Sequence, residues 1–269
     1  MTERIVVVGG GIAGLAAAAA LAERADVRVI ERLPAAGGTW EFDHPMVKRL
    51  VGECVRRGVA LECGYTALRW KNRRLLVIGP GRRAWIEADH LVFASGTRPA
   101  TPAELPVLGS RPAGLFVATV AHHLLEGRVN LGRRIAMCGS GYWADLVLKD
   151  LPSGTHVTLV SDGPAPCPPA GVSVAILSRN RPVEVLGHDR VEGLVTEAVG
   201  CARPDRTTLS CDAVVLAGDL RPLRNVDGAI VDAPDVTYIQ PTASVLTAQD
   251  VVDHAHEAVA AHRMEEASS

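Results

Sequence analysis

The sequence predicts an α/β fold made of two domains, the second inserted into the first, and three observations support this. Two strand, glycine turn, helix and strand patterns lie 130 residues apart, with their turns beginning at Gly9 and Gly139. Each is followed by a later apolar strand that ends in small residues and a proline, at 89–99 and 212–222. A chain of 269 residues with 48% hydrophobic content can also bury two small cores.

The first pattern has an apolar strand at 5–8, an alanine-rich helix to about residue 24 and a strand at 27–30. Gly9 suits the tight turn, Gly11 would let a pyrophosphate approach the backbone, and Gly14 would let the helix pack closely on the sheet. Glu31 follows Gly11 by 20 residues, where a carboxylate can accept both hydroxyls of an adenosine ribose. Together these features predict a Rossmann-like dinucleotide site.

The segment between this pattern and the next reads as a turn-rich stretch, a helix and several short strands. We expect the turn-rich stretch at 34–40, the helix at 46–57, and strands at 59–63, 66–70, 73–78 and 84–87. The strand that begins near Asp89 ends in Ser95 and Gly96, small residues that would let the backbone approach a cofactor.

The second pattern has strands at 134–138 and 156–160 and a helix to about residue 151. Its fit to a nucleotide site is poorer. Asp162 comes one residue later than the expected acid, and the bulky pair Tyr142 and Trp143 occupies the turn. A bound nicotinamide nucleotide and a structural relic of the fold therefore both stay open.

The remaining chain reads as short β-strands and one helix. A loop rich in proline and glycine covers 163–171, and β-like runs follow at 172–178, 182–187 and 191–197. After the strand at 212–216 comes a further strand-like run at 236–242, and an amphipathic helix is expected at 248–264.

In this order the parts resemble the pyridine nucleotide-disulfide oxidoreductase superfamily along nearly the whole chain. The resemblance implies an FAD-binding domain at 1–100 and 223–269 and an NAD(P)-binding-like domain at 101–222. It implies an oxidoreductase that passes a hydride between flavin and either a nicotinamide nucleotide or a substrate bound on a partner. The implied FAD contacts are Gly9, Gly11, Ile12, Ala13, Gly14, Glu31, Arg32, Gly38, Thr39, Ser95 and Gly96, and Gly139 and Gly141 would face NAD(P)H.

The sequence departs from that family in three ways. The redox-active cysteine pair is absent, Gln240 and Pro241 stand where the family usually has Gly-Asp, and we expect no counterpart of the family's C-terminal interface domain. The remaining resemblance is to nucleotide-binding subunits of multi-subunit amine or amino-acid dehydrogenases, which implies a partner subunit and a small-molecule substrate. The alternative is a non-catalytic subunit that holds FAD or another adenine nucleotide. No catalytic side chain is nominated.

Composition argues against several other classes of protein. A net charge of −2 with 4% aromatic residues gives no basic, stacking face for nucleic acid. The sequence has no uncharged apolar stretch that is long enough to span a membrane. We also expect no signal peptide before the first strand, and therefore a cytoplasmic protein.

We expect no metal site from the sequence. Adjacent side chains on a helix, such as His122 and His123, should diverge, and His254, His256 and His262 do not share one helix face. The six cysteines spell no zinc motif, although Cys54 and Cys63 could meet if the geometry allowed it.

Overall fold

A computed structural model describes residues 2–38, 43–163, 166–201, 203–218, 220–230, 233–239 and 247–266, without side chains for 261–266. The chain forms two compact units. Unit 1 is Met1–Thr97 with Pro222–Ser269, and unit 2 is Arg98–Arg221. The predicted α/β class with two Rossmann-like domains is confirmed.

Unit 1 is built on a parallel sheet whose strand order is β18-β7-β1-β2-β3. Its strands are β1 (Arg4–Val8), β2 (Asp26–Glu31), β3 (Ala60–Cys63), β7 (His90–Phe93) and β18 (Val236–Tyr238). Strands β4 (Thr66–Trp70), β5 (Arg74–Gly79) and β6 (Arg82–Glu87) form a separate antiparallel sheet. The helices are α1 (Ile12–Leu21), α2 (Pro45–Arg56) and α5 (Ala248–Glu266).

Successive side chains of the apolar strand β1 point to opposite faces of the sheet, and each face has its own core. Ile5 and Val7 pack in the cluster that includes helices α1, α2 and α5. Val6 and Val8 point to the other face and pack in the cluster that includes β4, β5 and β6. Strand β1 is therefore covered on both sides, as the continuous apolar run of a central parallel strand requires.

Unit 2 repeats this plan, with the strand order β12-β11-β10-β16-β9. Its parallel strands are β9 (Leu115–Val117), β10 (Arg134–Cys138), β11 (His156–Val160), β12 (Ser173–Leu177) and β16 (Ala213–Leu216). Strands β13 (Asn180–Leu186), β14 (Gly193–Ala198) and β15 (Arg206–Ser210) form an antiparallel sheet, and α3 (Ala118–Glu126) and α4 (Tyr142–Lys149) are its helices. Two short strands, β8 (Thr97–Arg98) and β17 (Arg221–Pro222), pair with each other.

Most predicted elements occur within two residues of their expected bounds. The first helix is shorter than predicted: it ends at Leu21, its last buried residue, because Glu23 and Arg24 are exposed and give it nothing further to pack. No bounds were predicted for α3, β9 or β15. Helix α3 buries Ala118, Ala121 and Leu125, whose spacing of three and four residues is typical of a helix but covers only a short segment.

Three further expectations can be compared with the structure. Cys54 and Cys63 are free thiols, so they form no disulfide. Gln240 and Pro241 lie outside the described residues. Within the described part of the chain, no helix is long and apolar enough to cross a membrane.

Candidate functional site

The first glycine turn of unit 1 connects the end of β1 to the start of α1. Gly9 has a positive φ of 109°, and a side chain there would overlap the carbonyl oxygen of Ala94. Gly14 lies in the first turn of α1, and an added Cβ there would overlap the carbonyl oxygen of Gly9. Both glycines are therefore required by the packing of the protein itself.

Gly11, the middle glycine of the same turn, differs from its neighbours. Its φ of −75° is open to any residue, and within the described chain an added Cβ would meet only the carbonyl oxygen of Gly37, at 3.8 Å. It is also the N-cap of α1, which has no side-chain cap and no acid in its first turn. The first N–H groups of a helix have no partner within the helix, so this end can bind an anion.

Two further glycines, Gly37 and Gly38, lie across this turn. The N–H of Gly37 donates to the carbonyl oxygen of Gly10 at 2.8 Å, and Gly37 forms a parallel bridge with Gly11. Gly38 has a φ of 60°, and an added Cβ there would come within 3.4 Å of the Gly11 Cα. Gly38 was predicted as a site residue, whereas Gly37 was missed although the pair is visible in the sequence. Thr39, the next predicted contact, lies outside the described residues.

Glu31 lies beside the turn at the end of β2, and its side chain is buried. The Gly10 N–H donates to Glu31 Oε2 at 2.6 Å, and the Leu33 N–H donates to Oε1 at 2.7 Å. These bonds fix the orientation of the carboxylate against the glycine turn. Each oxygen can accept a further hydrogen bond, so the group can still bind hydroxyls.

Ser95 and Gly96 follow β7, which pairs with β1 on the side opposite β2. The Ser95 hydroxyl donates to the Leu223 carbonyl oxygen, and the Leu223 N–H donates to the Gly96 oxygen at 2.9 Å. Gly96 has a φ of 74°, and no described atom would lie within 4 Å of an added Cβ. Leu223 was not foreseen, because its role comes only from its backbone.

The structure thus brings the predicted site residues of the first glycine turn, of β2 and of the segment after β7 to one edge of the sheet, where β1, β2 and β7 end. Ile12 is buried in the apolar core, so only its backbone N–H can contact a ligand at the turn. Ala13 is half-buried, and Arg32 is exposed.

The second glycine turn, between β10 and α4, resembles the first turn at its first glycine but differs at its second, because Gly141 has a positive φ and Gly11 does not. Gly139 has a φ of 100°, and a side chain there would overlap the backbone of Gly218. Gly141 has a φ of 89°, no described atom would lie within 4 Å of an added Cβ, and it is the uncapped N-terminus of α4. The pairing of a packed first glycine with an open second one occurs in both units.

The two turns differ in charge and in bulk. Helix α4 carries Asp145 in its first turn, which opposes an anion at that end. Trp143 is buried in the core, whereas Tyr142 is 43% exposed, so only Tyr142 borders the open side. Asp162 accepts a hydrogen bond from the Arg179 N–H, which ties down one of its carboxylate oxygens.

The expectation that His122 and His123 diverge was wrong. Their ring centroids are 5.5 Å apart, and Glu126 lies within reach of both rings because it is three and four residues further along α3. The carboxylate of Glu126, which lies close to both rings, was left out of that expectation.

Comparison with known proteins places these units in a family. The sequence matches the model for pyridine nucleotide-disulphide oxidoreductases over residues 3–229. A search of curated proteins gives no match.

Solved structures share the fold at low sequence identity. Thioredoxin reductase from T. acidophilum is 14% identical, with a TM-score of 0.64 over 98% of this chain and 99% of its own. FprA from Mycobacterium tuberculosis, in complex with NADPH, is 16% identical, with a TM-score of 0.72 over 100% and 85%. L-Proline dehydrogenase from P. horikoshii is 19% identical, with a TM-score of 0.63 over 99% of this chain and 56% of its own.

Proposed function

The chain belongs to the pyridine nucleotide-disulphide oxidoreductase family, and from that premise we propose which cofactor each of its two units binds. Members of this family are FAD-dependent oxidoreductases that use NAD(P)H, and so is this chain. Unit 1 holds FAD at the Gly9 to Gly14 turn, and the matching turn of unit 2 holds a nicotinamide nucleotide.

The space in front of Gly11 is the observation that carries this proposal. Gly9 and Gly14 are explained by contacts inside the protein, whereas no contact within the described chain requires a glycine at position 11. A glycine that the fold itself does not need is explained by a ligand that approaches the backbone closely.

The residues around that space fit the parts of FAD. The N–H groups of Ile12, Ala13 and Gly14 at the start of α1 would bind the pyrophosphate, supported by the positive end of the helix dipole. Glu31, already oriented by two backbone N–H groups, would accept the adenosine ribose hydroxyls. Ser95 and Gly96 would border the cofactor where β7 ends.

When bound, FAD supplies the hydride transfer between NAD(P)H and a second substrate. The described residues bind and orient the cofactor through backbone groups and one buried carboxylate. No side chain is assigned as a general acid or base.

The charge of unit 2 favours NADH over NADPH. Asp162, at the end of β11, would repel the 2′-phosphate of NADPH and would accept a ribose hydroxyl of NADH with its second oxygen.

Asp145 supports a second candidate for the electron donor. Its negative charge in the first turn of α4 weakens binding of a pyrophosphate there, and α1 has no such acid. Electrons would then come from a small-molecule substrate bound on a partner subunit.

Replacement of Gly11 by alanine tests the proposed FAD site. The apo protein should tolerate Gly11→Ala, because the new methyl group meets only the Gly37 oxygen at 3.8 Å. If this space holds the pyrophosphate, the purified variant should retain little FAD. Gly52→Ala in α2 is the matched control, since its added methyl group meets only the flexible end of Arg56 at 3.4 Å. Equal FAD content in wild type, Gly11→Ala and Gly52→Ala would refute the site.

A further inference from the structure

Three metal-binding side chains converge at the C-terminal end of α3. They are His122, His123 and Glu126, and one donor atom from each lies within 4.8 Å of the other two. His122 Nε2 is 3.6 Å from Glu126 Oε1, and His123 Nδ1 is 2.9 Å from Glu126 Oε2. Among the described residues this is the one group of three or more such side chains close enough to share an ion.

Asp150 fixes the orientation of the His122 ring. This aspartate is the C-cap of α4, and its Oδ2 is 2.9 Å from His122 Nδ1. A proton on Nδ1 satisfies that hydrogen bond and leaves the lone pair of Nε2 facing Glu126. Metal-binding histidines in proteins are commonly held in this way by a carboxylate on the other ring nitrogen. The pair His122 and Asp150 therefore has the form of a metal ligand with its supporting group.

We propose that His122, His123 and Glu126 form a binding site for a divalent transition metal of the zinc type. Two imidazoles and one carboxylate suit such an ion, and water can complete its coordination. The donor atoms must close to the spacing that bonds of about 2.0–2.1 Å require. We expect rotation of the His123 and Glu126 side chains to bring about this closure, because they are 67% and 55% exposed, while His122 stays in place against Asp150.

Charge at the site is also suitable. Glu126 brings one negative charge to the site, and its two carboxylate oxygens lie 3.6 Å from His122 Nε2 and 2.9 Å from His123 Nδ1. Asp150 adds a second negative charge next to His122. A bound cation would fix the end of α3 and, through Asp150, its contact with α4. We therefore expect the metal to stabilise unit 2.

The test is zinc binding to the holoprotein without a polyhistidine tag. The exposed Cys167 and Cys201 are alkylated first, because free thiolates also bind zinc. Equilibrium dialysis against Zn²⁺ should give one saturable ion per chain. His123→Ala and Glu126→Gln should each weaken binding by at least about tenfold. The matched control is His188→Ala, which removes a histidine that is 96% exposed and lies outside the group.

A fourth variant separates a built site from a chance grouping of surface side chains. Asp150→Asn leaves all three ligands in place but weakens the support of His122, so affinity should fall by roughly 10- to 100-fold. Zinc should also raise the melting temperature of wild type and of His188→Ala, but not of His123→Ala. Non-saturable binding, or equal affinity in wild type, His123→Ala and Asp150→Asn, would overturn the proposal.

Discussion

Replacement of Glu31 by glutamine should weaken unit 1 even in the absence of FAD. The carboxylate is 6% exposed and accepts two backbone hydrogen bonds, from Gly10 at 2.6 Å and from Leu33 at 2.7 Å. A glutamine amide has one acceptor oxygen, so its NH₂ group would face one of these N–H donors and leave it unpaired. An unpaired buried donor costs about 1–3 kcal/mol, and we expect the free energy of unfolding of unit 1 to fall by that amount.

Urea denaturation of the apo protein measures this change. A Trp143→Phe background removes the tryptophan of unit 2, so that fluorescence reports on unit 1 through its three tryptophans, Trp40, Trp70 and Trp85. Glu62→Gln is the matched control on the neighbouring strand β3. Its ion pairs with Arg28 and Arg82 involve partly exposed arginines and should contribute at most about 1 kcal/mol.

FAD affinity gives a second measurement on the same variants. Loss of the charged acceptor for the ribose hydroxyls should raise the Kd of Glu31→Gln by roughly tenfold or more. The Kd of Glu62→Gln should be unchanged. If both variants unfold at the same urea concentration and bind FAD equally well, the role given to Glu31 is wrong.

Four further predictions follow from other parts of the chain. In anaerobic stopped-flow experiments NADPH should reduce the bound flavin no faster than NADH, because Asp162 disfavours a 2′-phosphate; rapid bleaching by NADPH alone would contradict this. A hydrogen bond from Arg134 lowers the folded-state pKa of Asp212, so its stabilisation is present above the unfolded pKa of about 3.9 and is lost as pH falls through the folded value. Acid unfolding followed by circular dichroism should therefore depend less steeply on pH in Asp212→Asn. Burial raises the pKa of the Cys54 thiol to about 11, so a thiol reagent should label exposed Cys167 and spare Cys54 until the protein unfolds. Native mass measurement of the protein from its own cells should give a hetero-oligomer, and a fully active homodimer or monomer would contradict this.

The fold was predictable because its signals are local. Each glycine turn lies between a short apolar strand and a helix, and the spacing from Gly11 to Glu31 reflects one strand, turn, helix and strand unit. The packing roles of Gly9 and Gly14 follow from the same geometry. Both were expected from the sequence, and the contacts of both with backbone atoms bear this out.

Contacts that depend on distant backbone atoms were not predictable. Leu223 binds Ser95 and Gly96 through its main chain, and a main-chain contact does not require a particular residue type. The hydrogen bond from Gly10 to Glu31 likewise arises from how the turn folds over β2. The grouping of His122, His123 and Glu126 was missed because the two histidines were considered without Glu126, although the spacing of three and four residues was present in the sequence.

The visible spectrum of the purified protein, with chromatography of the nucleotide it releases on denaturation, tests the central claim most directly. If unit 1 holds FAD at the Gly11 turn, wild-type protein should show the absorption of an oxidised flavin and release FAD in equal amount to the chain. Gly11→Ala should release far less while keeping the circular dichroism of the folded protein. A folded wild-type protein that carries no flavin and binds none when FAD is added would contradict the account.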